Sequence, residues 1–195
     1  MPSIRARDSG SKSFLVLFFK KGLLPSFLLV LAAAAPPNRA APLLDDLQKA
    51  TTEQQATRLE QQISQIWRTS ITPSVQLLAD RATLSLAHED PRTAIGDLDA
   101  ALDLQDDQAL LWRLHAEARF ANGDEAGAFA DLAQALSREP RCFPALIDLS
   151  HFAEARNDFP RALKAWQKLL VIDPKTPHSA ARLEALERRA EGEKL

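Results

Sequence analysis

The stretch NGDEAGAFADLAQALSREPR, residues 122–141, decides the fold. Asn122 and Gly123 close one helix, because glycine takes the left-handed conformation after a last helical turn without steric cost. Asp124 stands where a carboxylate accepts the free backbone N–H groups of a new helix. Ala128, Leu132, Ala135 and Leu136 follow at helical spacing and give that helix an apolar stripe. Pro140 ends it, since proline lacks an N–H and its ring clashes with the preceding turn. A shift of 34 residues in either direction finds the same arrangement, EDPRTAIGDLDAALDLQDD at 89–107 and NDFPRALKAWQKLLVIDPK at 157–175.

Residues 75–108, 109–142 and 143–176 align without a gap. Column eight holds Ala82, Ala116 and Ser150, and column twenty holds Ala94, Ala128 and Ala162. Small side chains recurring at both columns mark places where helix backbones approach closely. Column sixteen is Asp90, Asp124 and Asp158, the capping position. Column twenty-four is Leu98, Leu132 and Trp166, and column twenty-seven is Ala101, Ala135 and Leu169. Column thirty-two is Asp106, Pro140 and Pro174. Each unit therefore reads as two helices joined by a turn. In the second unit Leu111, Trp112, Ala116, Phe120 and Ala121 supply the apolar positions of the first helix.

A helix-turn-helix period of 34 residues carrying Trp112, Ala116, Gly123, Asp124, Ala128, Leu132, Ala135 and Pro140 resembles the tetratricopeptide repeat, over residues 75–176. The resemblance implies an all-α, right-handed α-solenoid of three units with helical caps. It also implies a concave groove lined by the first helices. The groove-facing residues it assigns are Gln76, Ala79, Thr83 and Leu86 in the first unit. They are Leu110, Arg113, Glu117 and Phe120 in the second, and Pro144, Ile147, His151 and Glu154 in the third. Such a surface suits an unidentified peptide or protein, with apolar anchors giving affinity and charges giving register. The chain's own N-terminal helix is an alternative occupant. The first unit departs from the pattern most. Column seven, usually apolar in this family, is Arg81 there and His115 in the second unit. His88 and Glu89 occupy the turn, and Asp106 replaces the terminal proline.

The flanks read as caps, which a solenoid needs at its ends. Residues 177–195 include a helix with Ala180, Leu183 and Leu186 on one side, expected to cover the C-terminal end. Residues 44–74 read as an N-terminal cap of two helices broken near Thr51 and Thr52, the second presenting Ala56, Leu59, Ile63 and Trp67. Ahead of them, residues 1–35 look like an export signal. Lys20 and Lys21 precede the apolar run 23–35, and Ala33 to Ala35 fit a small-x-small cleavage site. That run is short for a spanning helix. With the earlier apolar piece FLVLFF, an uncleaved anchor is the alternative. Residues 36–43 are expected to form a short exposed linker. The arrangement resembles small exported alphaproteobacterial proteins with these repeats, which implies a periplasmic location, or an inner-membrane anchor facing the periplasm.

Composition narrows the chemistry. The chain of 195 residues is 46% hydrophobic and 26% charged, an ordinary globular balance. Net charge is −2, and five of its 24 basic groups lie in residues 1–35 with one of its 26 acids, leaving a body of 19 basic against 25 acidic groups. No nucleic-acid partner is expected from that balance. The single cysteine, Cys142, excludes an intrachain disulfide. Its neighbour Arg141 is a cation able to lower a thiol pKa, although a buried inert thiol is the expectation. His88, His115, His151 and His178 have no i, i+4 pair, so no metal site is expected. Ser150, His151 and Asp148 have the residue types of a catalytic triad, but adjacent helical residues point about 100° apart. The acidic run 97–107 reads as a solvated helix face, and the three tryptophans as core. No cofactor or catalytic residue is expected. The function implied is a non-catalytic interaction module of the cell envelope. The alternatives are a self-associating scaffold and, less favoured, an envelope hydrolase.

Overall fold

A computed structural model describes residues 39–192. The export-signal reading of residues 1–35 and the start of the expected linker lie outside them. Nine helices form among the described residues. They are α1 (Ala41–Gln48), α2 (Glu53–Thr69), α3 (Pro73–Ala87), α4 (Pro91–Leu104) and α5 (Ala109–Ala121). α6 (Glu125–Arg138), α7 (Phe143–Ala155), α8 (Phe159–Ile172) and α9 (Ser179–Ala190) follow. The three repeats are the hairpins α3/α4, α5/α6 and α7/α8, and each packs on the next to form an α-solenoid.

The turns show why the sequence folds this way. Column fifteen adopts positive φ in every unit: Glu89 at 57°, Gly123 at 85° and Asn157 at 59°. The first and third units therefore make the turn without glycine, at the steric cost a β-carbon brings to that conformation, which is smaller for asparagine than for glutamate. The aspartate after it caps the second helix each time. Asp124 Oδ1 accepts from Gly127 N at 3.0 Å, and Asp90 and Asp158 accept from Thr93 N and Arg161 N at 3.2 Å. Gly127 is small for a reason, since a β-carbon there would stand 2.2 Å from Asp124 Oδ2.

The repeating small residues are buried where the helices meet. Ala82, Ala94, Ala101, Ala116, Ala128, Ala135, Ser150 and Ala162 have no exposed surface, and neither do Leu98 and Leu132. Trp166 is buried, and its Nε1 donates to Ser179 O of the closing segment. Trp112 is half-buried and donates to Asp106 O at 2.7 Å.

Column seven is where the first two units depart from the family pattern, and column twenty-three answers it. Arg81 Nη2 lies 3.0 Å from Asp97 Oδ1. His115 is buried with Nδ1 3.0 Å from Asp131 Oδ2 and Nε2 3.2 Å from Asp99 Oδ1. Arg119 Nε adds a cation 3.4 Å from Asp131 Oδ2. The third unit has Leu149 and Ala165 at the same two columns. Each basic side chain thus comes with an acid on the facing helix, and both acids, Asp97 and Asp131, are buried and gain a partner there. Asp97 corrects the reading of the acidic run as wholly solvated, because it is buried beneath Arg81 while Asp99, Asp103, Asp106 and Asp107 are exposed.

The N-terminal helices pack elsewhere than their place in the chain suggests. Leu44, Leu47, Ala56 and Ile63 share a core with Phe143, Leu146, Leu169 and Ile172 of the third repeat. No residue of α1 or α2 joins the core of the first repeat among the described residues. α2 crosses the edge where the repeats end. Glu60 meets Asp173 at the end of the third repeat, and Trp67 packs on Phe143 with ring centroids 5.4 Å apart. Gln105, at the end of the first repeat, accepts from Thr72 N at 3.0 Å and donates to Ser70 O at 3.3 Å. The expected linker is also corrected at its far end. Ala40 is fully buried and α1 already begins at Ala41, with Pro42 in its first turn, where a fixed φ favours the helix.

Candidate functional site

The first helices α3, α5 and α7 pack in series and carry the residues assigned to the groove. Their side chains are not equally available. Thr83 and His151 are exposed, while Gln76, Leu86, Leu110, Glu117, Ile147 and Glu154 are half-buried. Ala79 is buried in the core of the first repeat. Phe120 is stacked on Phe152, centroids 3.9 Å apart, so most of its surface serves packing between α5 and α7. Arg113 is engaged by two acids. Its Nε is 2.6 Å from Asp148 Oδ2 and its Nη2 is 3.1 Å from Glu117 Oε2. Burial opposes its charge, but Asp148 and Glu117 outweigh that and hold its pKa above the ordinary arginine value. Arg113 thus acts as a clamp between α5 and α7. Among the apolar groove residues, Ile147 packs against the core that also holds residues of α1 and α2, and Phe120 packs against a core that Trp67 of α2 also touches.

At the back, α9 meets α7 and the surface deepens into a cleft of about 620 Å³. Ile147, His151 and Glu154 line one wall, and Ala181, Arg182, Ala185 and Arg189 line the other. Trp166 and Leu186 lie between them. Arg182 lies over the Trp166 ring, 4.6 Å from its centroid, donates to Ser150 Oγ at 3.3 Å and pairs with Glu154. Arg189 covers Phe159 at 5.3 Å. His151 is held below the usual histidine pKa by partial burial and then by Arg182. It is therefore largely neutral at neutral pH. With Arg182 answered by Glu154, Arg189 leaves the cleft with cationic character.

The arginines of α9 were missed from sequence, although Arg182, Ala185, Leu186 and Arg189 follow helical spacing. Ala180, expected on the packed side, is exposed, while Leu183 is half-buried and Leu186 buried. Ser150 is buried and occupied by Arg182, and the neighbouring His151 faces outward, so no nucleophile relay is assembled there. Cys142 is buried, and burial pushes its thiol pKa up to about 11 despite the lowering influence of Arg113, so it stays protonated at neutral pH. Among the described residues no cluster of three His, Cys, Asp or Glu side chains is placed to hold a metal.

Stacked helical hairpins with buried small residues at fixed columns define an α-solenoid, and comparison places its fold with the tetratricopeptide repeats. No protein-family model matches the chain. Over 136 residues it is 26% identical to a TPR repeat-containing protein of Rhizobium etli, covering 70% of this chain and 67% of that one. The Sgt2 TPR domain from Aspergillus fumigatus superposes with a TM-score of 0.57 at 21% identity, over 62% of this chain and 82% of that domain. The first TPR of Spaghetti (RPAP3), bound to the HSP90 peptide SRMEEVD, gives a TM-score of 0.56 at 16% identity, over 61% and 94%.

Proposed function

We propose that this chain is a non-catalytic protein-interaction module that holds a peptide segment of a partner protein along its first helices, with the main anchor in the cleft between α7 and α9. The cleft carries the reading: its buried apolar floor is Trp166 and Leu186, with Ile147 and Ala185 beside it, and His151, Arg182 and Arg189 line the same cleft as a polar rim. An apolar side chain fits the floor, and an acidic neighbour on the same peptide suits the rim. Peptide binding by the similar first TPR of Spaghetti (RPAP3) supports the reading. A photo-crosslinking side chain at His151 is expected to trap a partner in cells, and one at the exposed Lys164 of α8 is not. Ile147→Glu, which puts a charge on the apolar wall of the cleft, is expected to abolish the His151 adduct. Equal adducts from both positions, or an adduct that survives Ile147→Glu, would refute the site.

The same proposal places the protein in the envelope, with residues 1–35 as the export signal. The apolar run after Lys20 and Lys21, and the alanines that follow, support this. Among the described residues no helix is long and apolar enough to cross a membrane. Intact mass of the protein from a periplasmic fraction is expected to begin near residue 36. Full-length protein confined to the cytoplasm would contradict it.

A further inference from the structure

Columns three and ten show what the front of the stack lacks. In the second repeat they are Leu111 and Ala118, both fully buried within the core of the first repeat. In the third they are Ala145 and Phe152, buried against Ala128, Leu132 and Ala135 of the second. These columns are therefore the face on which each repeat receives its predecessor. In the first repeat they are Leu77 and Leu84, which are 62% and 59% exposed. The helices that precede it are carried off to the third repeat, so among the described residues no preceding helix fills this packing face of α3.

The exposed face has a two-fold pattern. Ser74, Leu77, Asp80, Arg81, Leu84 and Ala87 read small, leucine, acid, base, leucine, small, and all six are exposed. Spacings of three and four place them on one stripe of the helix. If two such helices lie antiparallel with the axis between Asp80 and Arg81, Leu77 meets the partner's Leu84 and Asp80 meets the partner's Arg81. Ser74 meets the partner's Ala87, and both are small enough for close approach. The other end of the stack is closed by α9, which turns Glu184, Glu187 and Arg188 outward. Head-to-tail stacking would set the leucines of α3 against those charged residues, whereas pairing of like ends forms a closed two-fold assembly.

We propose that α3 is the face through which two copies of this chain pair, antiparallel and front to front. Arg81 keeps its contact with Asp97 and has donors to spare for the partner's Asp80. One helix face offers less than the roughly 800 Å² per partner of a standard interface, so the dimer depends on concentration.

Cysteine crosslinking of the full chain tests both the pairing and its direction. Cys142 is buried with its thiol pKa raised, so an introduced surface cysteine is the reactive one. Under mild copper–phenanthroline oxidation, a mixture of Leu77→Cys and Leu84→Cys proteins is expected to crosslink at least about tenfold faster than either alone. Seven residues of helix, about 10 Å, separate like positions from contact. Adding Asp80→Lys to both proteins sets four cations together and is expected to remove the mixed crosslink, while circular dichroism melting stays unchanged because the side chain is exposed. Crosslinking of Leu77→Cys alone at the rate of the mixture overturns the arrangement. So does the absence of crosslinks from every protein together with monomeric sedimentation up to about 1 mM.

Discussion

Leu132→Ala is expected to destabilise the fold by about 2–5 kcal/mol, the range for deleting a buried leucine side chain. Leu132 is fully buried, and its cluster draws Ala116 from α5, Ala135 from α6 and Ala145 and Phe152 from α7. It therefore supports both the hairpin of the second repeat and the interface to the third. The surrounding alanines have no rotamers with which to fill the vacated space, which favours the upper part of the range. In a linear stack, stability is a sum of repeat terms and nearest-neighbour terms, and this substitution weakens one of each. Thermal unfolding followed at 222 nm is expected to shift down by roughly 4–20 °C for a domain of this size. Leu104→Ala makes the comparison, since Leu104 is 65% exposed and its loss should stay within about 0.5 kcal/mol. Equal melting shifts from the two variants would mean that column twenty-four is not a core position.

The repeats were legible because close approach of two helix backbones restricts residue size, and that restriction recurs every 34 residues. The capping aspartates and turn residues were legible because their chemistry is local. The docking of α2 was not. An apolar stripe of Ala56, Leu59, Ile63 and Trp67 says that one face is buried but not against which surface. Its proximity in sequence to the first repeat pointed to the wrong end. The groove was expected as a set of columns, but the state of its charges depended on pairs across repeats. Arg113 meets Asp148 because adjacent first helices bring column five of one unit beside column six of the next. The matching of Arg81 and His115 at column seven with Asp97 and Asp131 at column twenty-three was present in the alignment. It becomes interpretable only once the two columns are known to face each other.

Glu60→Gln is expected to raise stability at pH 8 and to flatten its dependence on pH between about 4.5 and 7. Glu60 lies on α2, and burial pushes its pKa from 4.5 up to about 7, with further upward contributions from its hydrogen bond to Asp173 and from that residue's charge. Asp173 is fully buried, and its Oδ1 takes the N–H of Lys175 at 3.2 Å. Its Oδ2 is buried without a fixed donor, which a protonated Glu60 supplies. The folded chain thus binds this proton more tightly than the unfolded chain. The stabilisation is fully present below pH 4.5 and is lost as pH rises through 7, the opposite of an ion-paired carboxylate. Allowing for the half of Glu60 that water still reaches, the loss is about 1.5 kcal/mol. Glutamine keeps a donor for Asp173 at every pH and removes the second negative charge, so it should recover most of that loss at pH 8 and little at pH 5. Urea denaturation of both proteins at the two pH values measures the difference. Equal stability at pH 8 would show that the contact between α2 and the end of the third repeat is not strained by charge. A gain of the same size at pH 5 would show that it is not linked to this proton.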